Sequence, residues 1–311
     1  MREIAISIKC VMPGAFPHCG LPVSNLARTL WYSAGICALC LLLQGSARAG
    51  LGDIEFEAFG GHDSNPSRAQ AESGVAAENI QGARASVLRS YLLDERSGII
   101  IRGGGTILRH SVFSGLNELG LNANLSYRIQ PTVGYTSPWY ELSIDLERRQ
   151  YTGSAIRDGM SAALDLSVGK HFTDRIYSTT GVGVKRSLAD RAYVFDLTER
   201  KLFITIGYKF GLENTLYASL SRTRGDQVFG SDEIYGVRGA VKAGADDPVF
   251  GEGYYAYRMD ASSNIAEAGV NLPVRGHGNW DLSVKRSRAY AYGGQSYEYN
   301  LMLLSWRYRF F

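Results

Sequence analysis

The chain has 311 residues, 20% of them charged, and a formal net charge of +3, so its composition provides no strongly basic surface for nucleic acid. Tyrosine (19) and glycine (36) are abundant and proline (8) is scarce, which favours β structure. The length suits one large domain or two ordinary ones.

The N-terminal segment has the pattern of a leader that is removed on export. Arg28 precedes an apolar run of 13 residues at 31–43, and an A-x-A site follows at 47–49. This combination predicts a secretory signal peptide, because the run is too short to cross a bilayer as a helix. A membrane anchor or a core helix is the alternative. We expect residues 1–49 to be signal peptide and leader, and residues 50–311 to be the mature domain.

All four cysteines, Cys10, Cys19, Cys37 and Cys40, fall within the leader. The mature chain therefore offers no disulfide framework, no thiol nucleophile and no thiolate metal site. The leader also carries most of the net charge. It holds four of the 33 basic residues and one of the 30 acidic residues, which leaves 29 of each in the mature chain.

After residue 50 the sequence alternates apolar and polar residues in runs of about ten. In residues 139–151, for example, Tyr140, Leu142 and Ile144 share one face, and Glu141 and Asp145 share the other. The alternation predicts about twelve strands, at residues 51–60, 80–92, 98–109, 118–129, 139–151, 160–171, 175–186, 200–210, 214–224, 257–271, 279–290 and 298–311.

The connections between these runs alternate in length. DERSG, FTDR and GLEN are tight turns, whereas the other connections are longer and reach 32 residues at 225–256. This pattern predicts an all-β fold, a transmembrane antiparallel up-and-down β-barrel. Such a sheet must close, because an open edge would leave unpaired backbone groups in hydrocarbon. Residues 235–244 and their neighbour are an alternative extra strand pair, which would give fourteen strands. A soluble β-sandwich with one polar face is the other alternative.

The final run, NLMLLSWRYRFF, places Trp306, Tyr308 and Phe310 on one face and ends in Phe311. It resembles the last strand of Gram-negative outer-membrane β-barrels, which the barrel assembly machinery reads as an assembly signal. The extra Phe311 shifts the usual spacing by one. The resemblance implies export through a cleaved signal peptide, passage with periplasmic chaperones, and a final location in the bacterial outer membrane. There, outer-membrane lipid and lipopolysaccharide would be its surroundings, with both termini periplasmic.

Charged residues on the polar face of the runs are predicted to line the barrel interior. Inward charges are stable only beside water or beside each other. They either pair across strands in a filled interior or line a hydrated pore, and their sign balance disfavours a strongly ion-selective ring. The predicted pore-lining residues are Glu141, Asp145, Glu147, Asp165, Lys185, Lys209, Asp281, Lys285, Arg307 and Arg309.

The mature histidines show no i,i+4 zinc spacing, so we expect no metal site and no cofactor. Two Ser/His neighbourhoods remain, at His62 and at His110. The order His-x-Ser-Asn at residues 62–65 resembles an element of outer-membrane lipid A 3-O-deacylases. That resemblance implies His62 as base and Ser64 as nucleophile, with Glu72 or Glu78 orienting the base.

The segment Gly61–Pro66 also resembles the opening motif G-[YH]-D-S-N-P of outer-membrane barrels related to the surface lipoprotein assembly modifier and to exopolysaccharide systems. Physically, Asp63 and Asn65 favour an Asx-type turn, and Pro66 ends the strand ladder. The resemblance implies a passive pore or an export or assembly accessory for polysaccharide or lipoprotein, with envelope export partners. The alternatives are a lipid-modifying hydrolase that uses His62 and Ser64, and a structural or adhesive barrel with partner-binding loops.

Overall fold

The structure is a computed structural model that describes residues 53–70, 75–211, 213–232, 240–274 and 277–310. The predicted leader, Glu72 and Phe311 lie outside these residues. In the described part of the chain, no helix is long and apolar enough to cross a membrane.

The described residues form thirteen strands joined by turns, loops and three short 3-10 segments. The strands are β1 (Asp53–Asp63), β2 (Glu78–Leu92), β3 (Ser97–His110), β4 (Glu118–Ile129), β5 (Trp139–Tyr151), β6 (Gly159–His171), β7 (Ile176–Ala189), β8 (Leu197–Phe210), β9 (Asn214–Ser231), β10 (Val241–Asp246), β11 (Tyr255–Val274), β12 (Gly278–Ala291) and β13 (Ser296–Phe310).

Twelve of these strands close into an antiparallel barrel, which confirms the predicted fold class and strand number. Each of the twelve pairs with its neighbours along the chain, with β9 pairing directly to β11. The first and last strands form the closing seam, in a register that runs from Ile54 opposite Phe310 to Asp63 opposite Leu301. Closure leaves the barrel without an open edge, as a sheet in hydrocarbon requires.

Of the segment 235–244 considered for an extra strand, residues 235–239 lie outside the described residues, and residues 241–244 belong to the short strand β10. β10 pairs only with residues 255–259 of β11, beside the part of β11 that β12 does not reach. β9 and β11 have 18 and 20 residues, more than the predicted runs 214–224 and 257–271. The ladder continues past the apolar stretch because the backbone groups of these two strands still find each other as partners.

Side-chain exposure separates the two faces of the sheet. On β8, Leu202, Ile204 and Ile206 remain 57%, 42% and 50% exposed although they are large and apolar. The intervening residues Lys201 and Thr205 belong to the inner face, where they contact polar groups across the lumen wall. An outward apolar band around a polar interior is the arrangement of a transmembrane barrel.

The two ends of the barrel differ. The turn end carries both terminal strand ends and the connections 93–96, 130–138, 172–175, 211–213 and 275–277. The loop end carries the connections 64–77, 111–117, 152–158, 190–196, 232–254 and 292–295. A small apolar cluster, including Phe229, Tyr257, Met259 and Tyr297, is buried inside the barrel at the loop end.

Candidate functional site

The closing seam carries the most interlinked charges of the lumen. Glu55 and Glu57 on β1 face Arg307 on β13, at 2.8 Å and 3.3 Å. Arg84 on β2 lies 3.1 Å from Glu57, and Arg102 on β3 lies 3.8 Å from Glu55. These ion pairs join the first strands to the last, so they support closure as well as lining the interior.

Arg309, the other predicted seam residue, also reaches Glu55, at 3.8 Å. The sequence analysis did not include Glu55 and Glu57 among the lumen residues. The alternation in DIEFEAF could have identified them, because the polar positions of β1 must share the inner face with those of β13 once the barrel closes.

The other predicted lumen residues of β5 and β6 also have partners. Arg128 on β4 pairs with Glu141 at 2.6 Å, and Arg149 pairs with Glu147 at 2.5 Å. The amide nitrogen of Asn124 donates to Asp145 at 2.7 Å. The ammonium group of Lys201 lies 3.3 Å from Asp165.

The predicted bases and acids of the remaining strands lie on the same inner face. Lys285 pairs with Glu267 at 3.5 Å. Asp281 accepts a hydrogen bond from the Tyr217 hydroxyl at 3.0 Å. Lys185 lines a cavity of about 120 Å³ near the loop end, whereas Lys209 lies at the turn end, opposite Thr215. Their role as the lining of a conducting pore stays a prediction.

Acids and bases differ in how far they reach into the lumen. At the seam, the side chains of Arg84, Arg102 and Arg307 are 45%, 46% and 40% exposed, whereas those of Glu55 and Glu57 are 7% and 12% exposed. The carboxylates therefore lie against the wall, and the guanidinium groups extend into space that water can fill. Equal numbers of acidic and basic residues do not reveal this difference in exposure, because the long side chain of a base projects further into the lumen than a carboxylate does.

The first loop folds inward across the loop end. The guanidinium of Arg68 donates to both carboxylate oxygens of Asp63, at 3.0 Å and 2.9 Å, and stacks 3.7 Å from the ring centre of Tyr299. Burial alone would lower the pKa of Arg68, but the hydrogen bonds and charge of Asp63 raise it above its ordinary value. Arg68 also adopts a left-handed φ of 57°, which bends the chain back toward the lumen.

Asn65 organises this loop and is only 2% exposed. Its backbone N–H donates to Asp63 at 2.9 Å, which is the Asx-type turn expected from the sequence. Its side-chain amide donates to the carbonyls of Ala69 and Glu298, at 2.8 Å and 3.0 Å. Its amide oxygen accepts the N–H of Ala69 at 3.0 Å. The D-S-N-P motif is therefore a structural element that fixes the loop against β13.

A second segment, residues 247–254, meets the first loop over the lumen. Gly230 on β9 is close to both segments: a Cβ on Gly230 would be 2.4 Å from the Ser67 carbonyl oxygen and 2.4 Å from the Tyr254 hydroxyl. Asp247 is fully buried and accepts a hydrogen bond from Arg157 of another loop. We call residues 64–70 and 247–254 the loop cover.

The loop cover contacts the remaining long loops through aromatic rings. Phe250 packs edge-on against Phe113, with 4.8 Å between ring centres. Arg157 lies 4.6 Å from the ring centre of Phe195 and 5.4 Å from that of Phe250. The cover is thus connected to the loops 111–117, 152–158 and 190–196. Spacing along the sequence gives no indication of these contacts, because they join residues far apart in the chain.

Of the candidate hydrolase residues, the structure describes His62, Ser64 and Glu78, and these three do not assemble into a triad, while Glu72 lies outside the described residues. His62 lies on the outer face and its Nδ1 is 3.0 Å from the Asn79 side-chain oxygen. The Ser64 hydroxyl oxygen accepts the backbone N–H of Asn300 at 2.7 Å. Glu78 faces the interior, where it contacts His110 at 2.6 Å. Glu78, one of the two predicted orienters, is therefore on the opposite side of the sheet from the predicted base.

The second Ser/His neighbourhood has a structural arrangement. Glu78 is buried and accepts the backbone N–H groups of Val112 and Phe113 in addition to its contact with His110. The hydroxyl oxygen of Ser111 accepts the backbone N–H of Asn79 at 3.0 Å. Within the described ranges, no group of three or more His, Cys, Asp or Glu residues is placed to hold a metal ion.

Comparisons with known proteins place the chain by its fold. No protein-family model matches the sequence, and no curated protein matches it. An outer-membrane channel from Pseudomonas putida is similar, with a TM-score of 0.53 and 12% identity over 86% of this chain and 98% of that chain. The resemblance of the first loop to particular barrel families stays a prediction.

Two further solved barrels are similar at lower scores. The KdgM porin, in complex with disordered oligogalacturonate, has a TM-score of 0.43 at 9% identity, over 83% of this chain and 99% of that one. LpxR from Salmonella typhimurium has a TM-score of 0.38 at 11% identity, over 80% of this chain and 99% of that one. The likeness to the Pseudomonas putida channel, at 12% identity, shows a shared architecture alone: the chain has the closed antiparallel fold of outer-membrane β-barrels.

Proposed function

We propose that this protein is a gated passive pore of the bacterial outer membrane. The observation that carries the proposal is a lumen lined by ion pairs, whose basic ends remain exposed, beneath a loop cover. Charges inside a membrane barrel are stable beside water, which a hydrated lumen would supply to these exposed basic groups. The membrane placement rests on the outward apolar band, and an outer-membrane channel shares the fold.

In this proposal the loop end faces the cell exterior and the turn end, with both termini, faces the periplasm. Residues 1–49 act as the cleaved export signal. The terminal aromatic strand, with Trp306, Tyr308, Phe310 and Phe311, is read by the barrel assembly machinery after passage with periplasmic chaperones. The proposed cargo is a hydrophilic solute or polysaccharide strand, because hydroxyl, amide and charged groups form the inner face.

The loop cover sets the conducting state in this proposal. Arg157 and Phe250 connect the cover to three neighbouring loops. Their removal in the variant Arg157→Gln/Phe250→Ala should release the cover while leaving every barrel strand intact. We expect low conductance from the wild-type protein and higher conductance from this variant.

Planar-bilayer recordings on refolded residues 50–311 test the proposal. The matched control is Arg191→Gln/Tyr193→Ala, which likewise changes one arginine and one aromatic residue, here in exposed positions of the loop 190–196. The control should conduct like the wild type. If the wild type and both variants are folded and none of them conducts, the proposed pore function is contradicted and a structural or adhesive barrel is favoured.

A further inference from the structure

Six exposed arginines lie on the outer surface of four barrel strands, β7, β8, β9 and β12, toward the loop end. Each shares a face with exposed apolar residues of its own strand; Arg222, for example, follows Leu220 by two positions on β9. We call this set the outer arginine patch. Its members are Arg186 on β7, Arg200 on β8, Arg222 and Arg224 on β9, and Arg286 and Arg288 on β12.

The strand register places like charges together in this patch. Arg200 is directly opposite Arg224 across the β8–β9 ladder. On the other side of β9, Arg222 is opposite Asn264, which in turn is opposite Arg288. Like charges directly opposite on neighbouring strands destabilise a sheet, so an anion bound between them would stabilise this arrangement.

The carboxylates of the described residues compensate only the β12 part of this patch. Among the described residues, no carboxylate forms an ion pair with any of the four patch arginines on β7, β8 and β9. The single carboxylate of Glu298 forms ion pairs with both Arg286 and Arg288, at 2.7 Å and 3.0 Å. The nearby Asp226 and Asp260 are paired with Lys242.

An apolar groove of about 590 Å³ adjoins the patch on the same outer surface. It is lined by Leu202 and Leu220 and by outward residues of β11, including the small Ala266. Arg222 and Arg288 also line it. The site therefore combines a slot for a hydrocarbon chain with cationic side chains at one edge.

We propose that the outer arginine patch and its groove bind a phosphorylated membrane lipid of the outer leaflet. The phosphate oxygens would accept hydrogen bonds from the guanidinium groups, each of which can donate two parallel N–H bonds to a phosphate. An acyl chain of the same lipid would occupy the groove. A soluble phosphate would use the arginines but leave the apolar groove unfilled. This assignment rests on the outer-membrane placement proposed above, but it does not depend on whether the lumen conducts.

The test measures lipid retention by refolded residues 50–311. The protein is reconstituted in phosphatidylcholine vesicles that contain either diphosphoryl lipid A or its dephosphorylated form, then extracted in mild detergent for native mass spectrometry. The patch variant is Arg200→Gln/Arg222→Gln/Arg224→Gln. The matched control, Arg109→Gln/Arg175→Gln/Arg191→Gln, removes three exposed arginines outside the patch.

We expect the wild type and control to retain diphosphoryl lipid A in preference to the dephosphorylated form. The patch variant should lose at least about tenfold in retention, since each arginine near an anionic headgroup contributes to binding. Equal retention by the patch variant and the control would overturn the proposal. Displacement of the bound lipid by inorganic phosphate alone would show a soluble-anion site, and would also overturn it.

Two controls keep this result separate from the pore. A heat-dependent shift in gel mobility shows that each variant has a folded barrel. Conductance of the patch variant in the open-cover background Arg157→Gln/Phe250→Ala reports on the pore alone. If the open-cover variant does not conduct although the wild type retains phosphorylated lipid selectively, the proposed pore function is contradicted. If the open-cover variant conducts but the wild type retains lipid without selectivity, only the lipid site is contradicted.

Discussion

Asp63 and Arg68 form a bidentate ion pair, at 2.9 Å and 3.0 Å, that connects the end of the first strand to the loop folded over the lumen. The Asp63 and Arg68 side chains are 11% and 28% exposed. A charged pair that is this sheltered is worth more than a surface salt bridge, because one partner alone would remain partly buried without compensation.

We predict a strong coupling between these two residues. Arg68→Ala and Asp63→Ala should each destabilise the loop, and the double variant should cost less than the sum of both. The expected coupling free energy is about 2 kcal/mol. Urea unfolding of each refolded variant in detergent gives the free energies from which the coupling is calculated. Protease sensitivity of loop 64–77 then shows whether the loop itself is destabilised. Additive effects would show that the pair does not act as a unit.

Asn65→Ala should open the first loop without unfolding the barrel. The variant leaves the carbonyls of Ala69 and Glu298 without their amide donor, at a cost of about 2 kcal/mol or more in local stability. Limited proteolysis of protein in intact vesicles should then cut loop 64–77 faster. The matched control, Asn79→Ala, removes an exposed amide at the same end of the barrel. Equal cleavage of both variants would contradict a structural role for Asn65.

The seam charges should set the ion preference of the open state. In the background Arg157→Gln/Phe250→Ala, Arg84→Gln/Arg102→Gln should shift the reversal potential in a salt gradient toward cation preference. These side chains carry exposed positive charge in the lumen, and their removal leaves Glu55 and Glu57 less compensated. Glu55→Gln/Glu57→Gln should shift the reversal potential the opposite way. Shifts of the same sign in both variants would place these residues outside the ion path.

His62→Ala should leave stability nearly unchanged, within about 0.5 kcal/mol, because the side chain is exposed and its contact with Asn79 lies at the surface. The variants His62→Ala and Ser64→Ala should both match the wild type when release of acyl chains from lipid A is measured by mass spectrometry of extracted lipid. Acyl release by the wild type that disappears in both variants would revive the hydrolase hypothesis.

The turn between β2 and β3 provides a prediction for pH. The Asp94 carboxylate accepts hydrogen bonds from the Arg96 backbone N–H at 2.7 Å and from the Ser97 hydroxyl at 2.8 Å. These bonds hold the pKa of Asp94 below its ordinary value of 3.8. Since the folded pKa is the lower one, the stabilisation is present above pH 3.8 and is lost as the pH falls through the lowered pKa. An NMR titration that gives a pKa of 3.8 or higher would contradict it.

Local periodicity accounts for what could be predicted of the fold. The alternation in residues 139–151 and 200–210 identifies strands because side chains on a strand point to opposite faces in turn. The same rule underpredicted β9 and β11, which extend to Ser231 and start at Tyr255. Their added residues have no regular apolar alternation, and only the neighbouring strand shows that the ladder continues.

The candidate site was predictable only in part, since its charges depend on which strands meet. Glu141 and Asp165 could be assigned to the polar face from their own strands. The pairing of Glu55 with Arg307 required closure of the barrel, and the opposition of Arg200 and Arg224 required the β8–β9 register. A one-residue change in register would move such residues to the other face or to other partners.

The sequence by itself determined that this chain forms about twelve antiparallel strands with one apolar and one polar face, because that information is local and repeats every two residues. The tertiary structure decided where the loops lie and which charges meet. Asn65 belongs to a loop held over the lumen, and Glu78 belongs to a different face from His62. These relationships depend on contacts between distant parts of the chain, which periodicity along one strand does not encode.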